Sequence, residues 1–172
     1  MARELLIFRH GKTVSRDQAD DFSRPITDRG KRGSQRMGVW LWQKDIRPDY
    51  IISSPAERAF VSAQKLCKAA GMDAASIVTD RSLYGADLKS LLTVLADCPR
   101  KKQRILLVGH NPGLTDLLLY LLGGEVPAPD DGKLLPTATL ARLVMPGGWK
   151  KLEFGSVQLK SLTRPDDLPK KF

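Results

Sequence analysis

Apolar residues fall into two kinds of run, and the two kinds alternate along the chain. Residues 4–9 and 104–109 are almost continuously apolar, as in strands that are buried on both faces of a parallel sheet. Residues 28–44 show apolar positions at helical spacing instead, and a short apolar run at 50–53 precedes another helical pattern. Alternating strands and helices predict a three-layer α/β/α sandwich with a mostly parallel central sheet.

Capping and turn residues indicate where the helices begin and end. Asp28 or the residue before it suits the N-cap of the first helix, and Pro55 suits the first turn of the second. The second helix is expected to end near Gly71, and Asp87 is the predicted N-cap of a third. The other predicted elements are an edge strand at 77–79, the helix at 88–96, and a helix that ends at 122.

The C-terminal third of the sequence predicts an antiparallel edge. Apolar and polar residues alternate at 140–145 and 151–159, on either side of Pro146-Gly147-Gly148, which is typical of a hairpin. The segment 125–136 is rich in Pro and Asp, and we interpret it as a loop because too little chain follows to form a second core. Residues 1–172 are therefore expected to form a single domain.

Composition excludes several classes of protein. The chain is 42% hydrophobic and 27% charged, which is ordinary for a globular domain. Its formal net charge of +9 would suit an anionic partner, but the basic residues are scattered with few aromatics between them, so we expect no nucleic-acid partner. Cys67 and Cys98 lie in helical patterns and are predicted to be buried free thiols.

No segment has the pattern of a membrane anchor or a secretory signal. The apolar run at 114–122 contains Asp116 and is far shorter than the roughly 20 residues that span a bilayer. The apolar run at the N-terminus is too short for a signal peptide and lacks a cleavage site of small residues. We therefore expect a cytoplasmic protein that does not bind membranes.

The sequence contains two histidines, and each follows a strand of the buried type directly. His10 comes after the strand at 4–9, and His110 comes after the strand at 104–109. Ligands of open parallel sheets bind beyond the carboxyl ends of the strands, so the two imidazoles are expected to meet there. Either histidine alone would be explained well enough by packing or capping, but the two together favour a functional site.

Two arginines are placed to reach the same point. Arg9 precedes His10, and Arg58 lies one turn into the second helix. Planar guanidinium groups pair with phosphate oxygens, and phosphoryl transfer depends mainly on positioning and charge stabilisation. A neutral imidazole is a suitable nucleophile, and Gly11 would allow the backbone to approach an oxyanion closely. Taken one at a time, each arginine could equally be a solvated surface residue.

Three ordered motifs carry a resemblance to a known family. Arg9-His10-Gly11, the segment from Ser54 to Ala59 with the sequence Ser-Pro-Ala-Glu-Arg-Ala, and Gly109-His110-Asn111-Pro112 each lie at a predicted strand end. Together they resemble the motifs of the histidine phosphatase superfamily, also called phosphoglycerate mutase-like. Within it, the chain is most similar to the small SixA-type phosphohistidine phosphatases, and the similarity extends over nearly the whole chain.

The resemblance implies a role for each matching residue. His10 would be the phosphorylated nucleophile, and Arg9, Arg58 and His110 would be catalytic residues that bind the phosphoryl oxygens. Arg24, in an Arg-Pro-Ile-Thr segment, could also bind phosphate or could be a solvated loop arginine. No metal or cofactor is expected, because arginines supply the charge that Mg²⁺ supplies elsewhere.

The leaving group determines which substrates are feasible. A phosphomonoester needs a general acid, and Asp87 and Glu57 are the candidates, although Asp87 is explained better as a helix cap. A phosphohistidine needs less help, so we expect hydrolysis of protein phosphohistidine in a phosphorelay or signalling protein. Two alternatives stay open: a phosphomonoesterase of small phosphorylated metabolites, and a catalytically silent module that binds a phosphorylated ligand.

Overall fold

The computed structural model describes residues 2–18, 20–126 and 129–170 and contains an open sheet with helices on both sides. Short 3₁₀ turns join several of the elements. The strands and helices, in chain order, are β1 (Arg3–Arg9), α1 (Asp28–Gln43), β2 (Tyr50–Ser53), α2 (Glu57–Ala69), β3 (Ile77–Thr79), α3 (Leu88–Ala96), β4 (Arg104–Gly109), α4 (Gly113–Leu121), β5 (Leu140–Met145) and β6 (Gln158–Thr163).

The strands form one sheet in the order β3-β2-β4-β1-β5-β6. The pairs among β1 to β4 are parallel, whereas β5 and β6 are antiparallel to their neighbours. One face of the sheet packs its apolar side chains against α3 and α4, and the other packs against α1 and α2. The predicted three-layer α/β/α sandwich, with its mostly parallel sheet and antiparallel edge, is therefore confirmed.

The second strand of the antiparallel edge begins later in the chain than the alternating pattern at 151–159 predicts. Strand β6 spans Gln158–Thr163, so the expected tight turn at 146–148 is replaced by a longer connection. Trp149 is buried in that connection, and its Nε1 donates to the carbonyl of Lys102. The backbone N–H groups of Gly155 and Val157 donate to carbonyls at the end of α4. These contacts hold the connection against α4, so it does not pair with β5.

The remaining predictions for local structure can be compared in the same way. Asp87 accepts a hydrogen bond from the Ser90 N–H and caps α3, as predicted. Cys67 and Cys98 are free and buried, which is also as predicted, and burial raises the pKa of each thiol to about 11. The predicted loop at 125–136 has no helix or strand where it is described, while residues 127 and 128 lie outside the described residues. In the ranges that the structure describes, no helix combines the length and the hydropathy needed to cross a bilayer.

The register of the two central strands places the ends of β1 and β4 side by side. Arg9 is paired with Gly109, so the residues that follow, His10 and His110, emerge at the same edge of the sheet. The four apolar residues at the centre of each strand are fully buried, which fixes this register from both faces. The sheet core thus determines the relative position of the two histidines.

The two helices on one face approach each other closely at Gly38. A Cβ atom built at this position would lie 2.2 Å from the carbonyl oxygen of Leu66 on α2 and 2.8 Å from the Cβ atom of Ala69. Such distances are well below van der Waals contact, so only glycine permits the observed packing. This contact holds α2, and with it the helix turn that carries Arg58, against α1.

We predict that Gly38→Ala destabilises the protein even though alanine favours helices by about 1 kcal/mol over glycine. Forced separation of α1 and α2 should lower the free energy of unfolding by about 1–3 kcal/mol, the usual cost of overpacking. Urea denaturation of the variant would measure it. Gly147→Ala is the matched control, because a Cβ atom there meets nothing within 4 Å. Equal stability of the two variants would contradict the close contact.

Candidate active site

The strand ends bring the two histidines into contact. The ring centroids of His10 and His110 are 5.3 Å apart, with the ring planes inclined by 54°. The backbone N–H of His10 donates to the carbonyl of Gly109 at 3.3 Å, which joins the two strand ends directly. The prediction that the two imidazoles meet at this edge of the sheet is therefore confirmed.

His10 is held as a neutral imidazole with one nitrogen exposed to a ligand. Its Nδ1 lies 2.8 Å from the carbonyl oxygen of Gly11, which can only accept, so Nδ1 carries the proton and Nε2 keeps its lone pair. Burial lowers the pKa of His10 to about 3, against the effect of the Gly11 hydrogen bond. Nearby His110, Arg9 and Arg58 add to the lowering. At neutral pH, Nε2 is therefore available as a nucleophile.

Gly11 serves the site in a different way from the one predicted. Its N–H donates to Ser62 Oγ at 2.9 Å, so this donor is already used and does not face the pocket. A Cβ atom at Gly11 would lie 2.5 Å from the carbonyl oxygen of Gly30. Glycine is thus required at this position for close approach to the first turn of α1. The same approach holds the carbonyl that orients His10. The prediction that the Gly11 backbone approaches an oxyanion is wrong, because its N–H is bonded to Ser62.

His110 has one ring nitrogen that is hydrogen-bonded to Ser54 and one that is buried without a partner among the described residues. The Ser54 hydroxyl oxygen accepts from the Ala56 N–H at 3.2 Å and lies 2.8 Å from His110 Nε2. Nε2 is the one acceptor that the described residues offer to the Ser54 hydroxyl hydrogen, which assigns the ring proton to Nδ1. Nδ1 is buried and has no hydrogen-bond partner among the described residues. Burial, followed by the charge of Arg58, lowers the pKa of His110 to about 4, against the effect of Asp21.

Asp21 organises two of the predicted arginines, and the sequence interpretation missed it. Arg58 donates to the Asp21 carbonyl at 2.5 Å and to its carboxylate at 3.2 Å. Arg24 donates to the other carboxylate oxygen at 3.3 Å and to Thr13 Oγ1 at 2.7 Å. Tyr84 donates its hydroxyl to Asp21 Oδ2 at 2.5 Å. The hydrogen bond from Tyr84, followed by the charges of the two arginines, holds the pKa of Asp21 below its ordinary value.

Arg24 is buried, which excludes the alternative of a solvated loop arginine. Arg9 is half-buried and donates from Nη1 to the Leu135 carbonyl at 3.2 Å. Burial lowers the pKa of Arg9, but a guanidinium stays charged at any physiological pH. The two arginines and Arg58 thus present positive charge around the histidine pair.

These side chains line one pocket at the carboxyl end of the parallel strands. Its volume is about 590 Å³, which is enough for a phosphoryl group and part of its leaving group. Five of the lining side chains are cationic and one is a carboxylate, so the pocket suits an anion. The lining residues are Arg9, His10, Lys12, Thr13, Arg16, Asp21, Arg24, Arg58, Tyr84, Gly85, His110, Asn111 and Thr137.

The two candidate general acids lie outside this pocket. Glu57 is exposed at the start of α2 and does not line it. Asp87 is exposed, and its hydrogen bonds with Ser90 lower its pKa. Asp87 instead lines a smaller recess that also contains His110 and Asn111. Over the described part of the chain, no group of three or more His, Cys, Asp or Glu side chains is arranged to hold a metal ion.

A comparison with protein families identifies the chain. The model for the histidine phosphatase superfamily (branch 1) matches residues 5–91, just over half of the sequence. This chain belongs to the histidine phosphatase superfamily. The matched residues include His10, Arg24 and Arg58, whereas His110 lies beyond them. Membership of this superfamily supports a phosphatase activity and confirms the resemblance stated from the motifs.

Solved structures of the superfamily share this fold over nearly their whole length. The chain is 25% identical to a protein assigned as phosphohistidine phosphatase SixA from Nakamurella multipartitia, covering 96% of this chain and 97% of that one with a TM-score of 0.80. A protein with the same assignment from Agrobacterium tumefaciens is also 25% identical, with 96% and 100% covered and a TM-score of 0.78.

A third structure, the protein histidine phosphatase SixA in complex with tungstate, has the same fold. It is 20% identical, with 95% of this chain and 98% of that chain covered and a TM-score of 0.79. A search of curated proteins finds no match to the chain. The superfamily and the SixA-like fold are thus shown by the family match and by the structures.

We predict that Asp21→Asn lowers kcat/KM for a phosphorylated substrate by about 10², because Arg24 and Arg58 lose the carboxylate that positions them. The fold should survive, since Asp21 is about half exposed. Steady-state kinetics and circular dichroism of the pure variant would measure the two effects. Asp20→Asn is the matched control, because Asp20 is an exposed neighbouring carboxylate outside the pocket. Equal rates for the two variants would contradict the positioning role.

Proposed function

We propose that this protein is a phosphohistidine phosphatase in which His10 is the nucleophile and is transiently phosphorylated. The observation that carries the proposal is the state of His10, whose proton is fixed on Nδ1 by Gly11 while Nε2 stands beside His110 in a cationic pocket. The similarity to proteins assigned as SixA supports the same substrate class.

In the first step, the lone pair of His10 Nε2 attacks the phosphorus of a phosphohistidine whose other ring nitrogen is protonated. The bond from phosphorus to the substrate nitrogen breaks with its electrons returning to the substrate ring, which leaves as a neutral imidazole. Positive charge develops on the His10 ring, and the Gly11 carbonyl accepts a stronger hydrogen bond from Nδ1 as it does so. Arg9, Arg58 and His110 line the pocket and stabilise the phosphoryl oxygens. Water then attacks the phosphorus, which releases phosphate and restores neutral His10.

The protonation state of the pocket favours nitrogen-bound over oxygen-bound phosphate. Asp21, the carboxylate that lines the pocket, is held ionised by Tyr84, Arg58 and Arg24 and therefore has no proton to give to an alkoxide. Asp87 lies outside the pocket as the cap of α3. An imidazole leaves from phosphorus with less help from an acid, so the substrate we propose is the phosphohistidine of a protein in a phosphorelay or another signalling chain.

Covalent labelling tests the nucleophile. The sequence contains only two histidines, so a label on a histidine nitrogen can reside on His10 or His110 alone. We expect the wild-type protein to acquire an acid-labile, alkali-stable phosphoryl group from phosphoramidate. His10→Ala should lose both the label and turnover, because it removes the attacking nitrogen. His110→Ala is the matched control and should keep a label that forms more slowly.

Each other outcome of the labelling contradicts a defined part of the proposal. A label that persists in His10→Ala places the nucleophile elsewhere. Neither label nor turnover in the wild type would indicate a module that binds phosphorylated ligands without reaction.

The substrate class is tested by comparing kcat/KM for a phosphohistidine peptide and for p-nitrophenyl phosphate. A strong preference for the ester would reject phosphohistidine as the substrate.

A further inference from the structure

A second groove lies directly beside the active-site pocket and shares lining residues with it. Lys12 and Thr137 line both the pocket and the groove. One wall of the groove is the first half of α1, and the other is formed by the segment before β5 and the turn after β6. A ligand seated in the pocket can therefore extend along the groove without leaving the surface.

The groove carries a large excess of positive charge. Seven of its lining side chains are cationic and two are carboxylates. Arg29, Arg32 and Arg36 follow each other at spacings of three and four residues, so they share one face of α1. One of the two carboxylates, Asp131, is already neutralised by Arg164 at 2.7 Å.

The positive charge of the groove is not used by the fold. Within the described ranges, the side chains of Lys12, Arg29, Arg32, Arg36, Lys133 and Lys170 form no salt bridge with a carboxylate. At the opposite end of the central strands, by contrast, buried Glu4 is bound by Arg104 at 2.6 Å and by Arg142 at 2.9 Å. Six unneutralised cations along one groove repel each other and attract an anionic ligand.

The composition of the groove favours a polypeptide as that ligand. None of the described lining residues is aromatic, whereas surfaces that bind single-stranded nucleic acid stack bases on aromatic rings. The groove also contains Gly30, Gly33, Pro136, Ala138 and Pro165, which supply apolar and backbone surface between the charges. An extended chain with acidic side chains can contact both kinds of surface.

We propose that this groove docks an acidic segment of the protein substrate, next to the phosphohistidine that enters the pocket. This inference rests on the function proposed above and adds to it a specificity for acidic phosphoproteins. Charge complementarity of this kind accelerates association and selects the partner. It should therefore act on KM more than on kcat.

Two peptides of about 20 residues, long enough in extended form to leave the pocket and cross the groove, serve as probes. Both carry one phosphohistidine, which is flanked by Asp and Glu in one peptide and by Ser and Gln in the other. Phosphoimidazole is the third substrate, because it fills the pocket alone. Its hydrolysis reports on the proposed function independently of the groove. Fluorescence anisotropy of the labelled, unphosphorylated acidic peptide reports on the groove independently of catalysis.

The test variant is Arg29→Glu combined with Arg32→Glu. Both residues are exposed and lie outside the pocket, and glutamate is favourable near a helix N-terminus, so the fold should be retained. The matched control is Lys101→Glu combined with Lys150→Glu, which changes the net charge by the same amount at exposed loop positions outside the groove.

For the wild type, we expect KM for the acidic peptide to be about 10-fold lower than for the neutral peptide. The test variant should lose this advantage and weaken the anisotropy signal about 10-fold, with unchanged turnover of phosphoimidazole, while the control keeps the preference. Equal KM values for the two peptides, or equal losses in both variants, would overturn the inference. A single-stranded oligonucleotide that binds more tightly than the acidic peptide, and loses affinity in the test variant, would reject it in favour of nucleic acid.

Discussion

The hydrogen bond between His10 Nδ1 and the Gly11 carbonyl is the interaction on which the site depends. It fixes the proton on one nitrogen and leaves Nε2 as a lone pair beside His110. The carbonyl is held in place because Gly11 packs against the backbone of Gly30 and donates to Ser62. The start of α1 and the middle of α2 therefore converge on one peptide group, and the orientation of the nucleophile follows from helix packing.

Burial and positive charge act together on this arrangement. Both imidazoles are removed from water and surrounded by guanidinium groups, and each effect penalises a charged imidazole. The positive charge that helps to keep the histidines neutral also makes the pocket attractive to an anion. Asp21 balances part of the charge and binds two of the arginines, so the pocket does not depend on a ligand to hold its cations together.

The fold and the histidine pair could be predicted from the sequence because both depend on strands with continuous apolar runs. Neighbouring buried strands share an edge, and His10 and His110 follow them directly. Asp21 could not be found in this way, since it lies in a polar segment without periodicity and contacts Arg58 and Tyr84, which are 37 and 63 residues away. The start of β6 was misplaced for a related reason, because alternation at 151–159 does not reveal that Trp149 is anchored to Lys102.

The state of His10 can be measured directly by nuclear magnetic resonance of the two histidines, with His10→Ala to assign their signals. The pKa values of about 3 and about 4 mean that both rings become charged only well below pH 5. We therefore expect neither ring to titrate between pH 8 and about 5, with the His10 proton on Nδ1 throughout, because lowering the pKa extends the neutral form towards acid. A His10 ring that titrates near its ordinary pKa of 6.5, or that carries its proton on Nε2, would contradict the account.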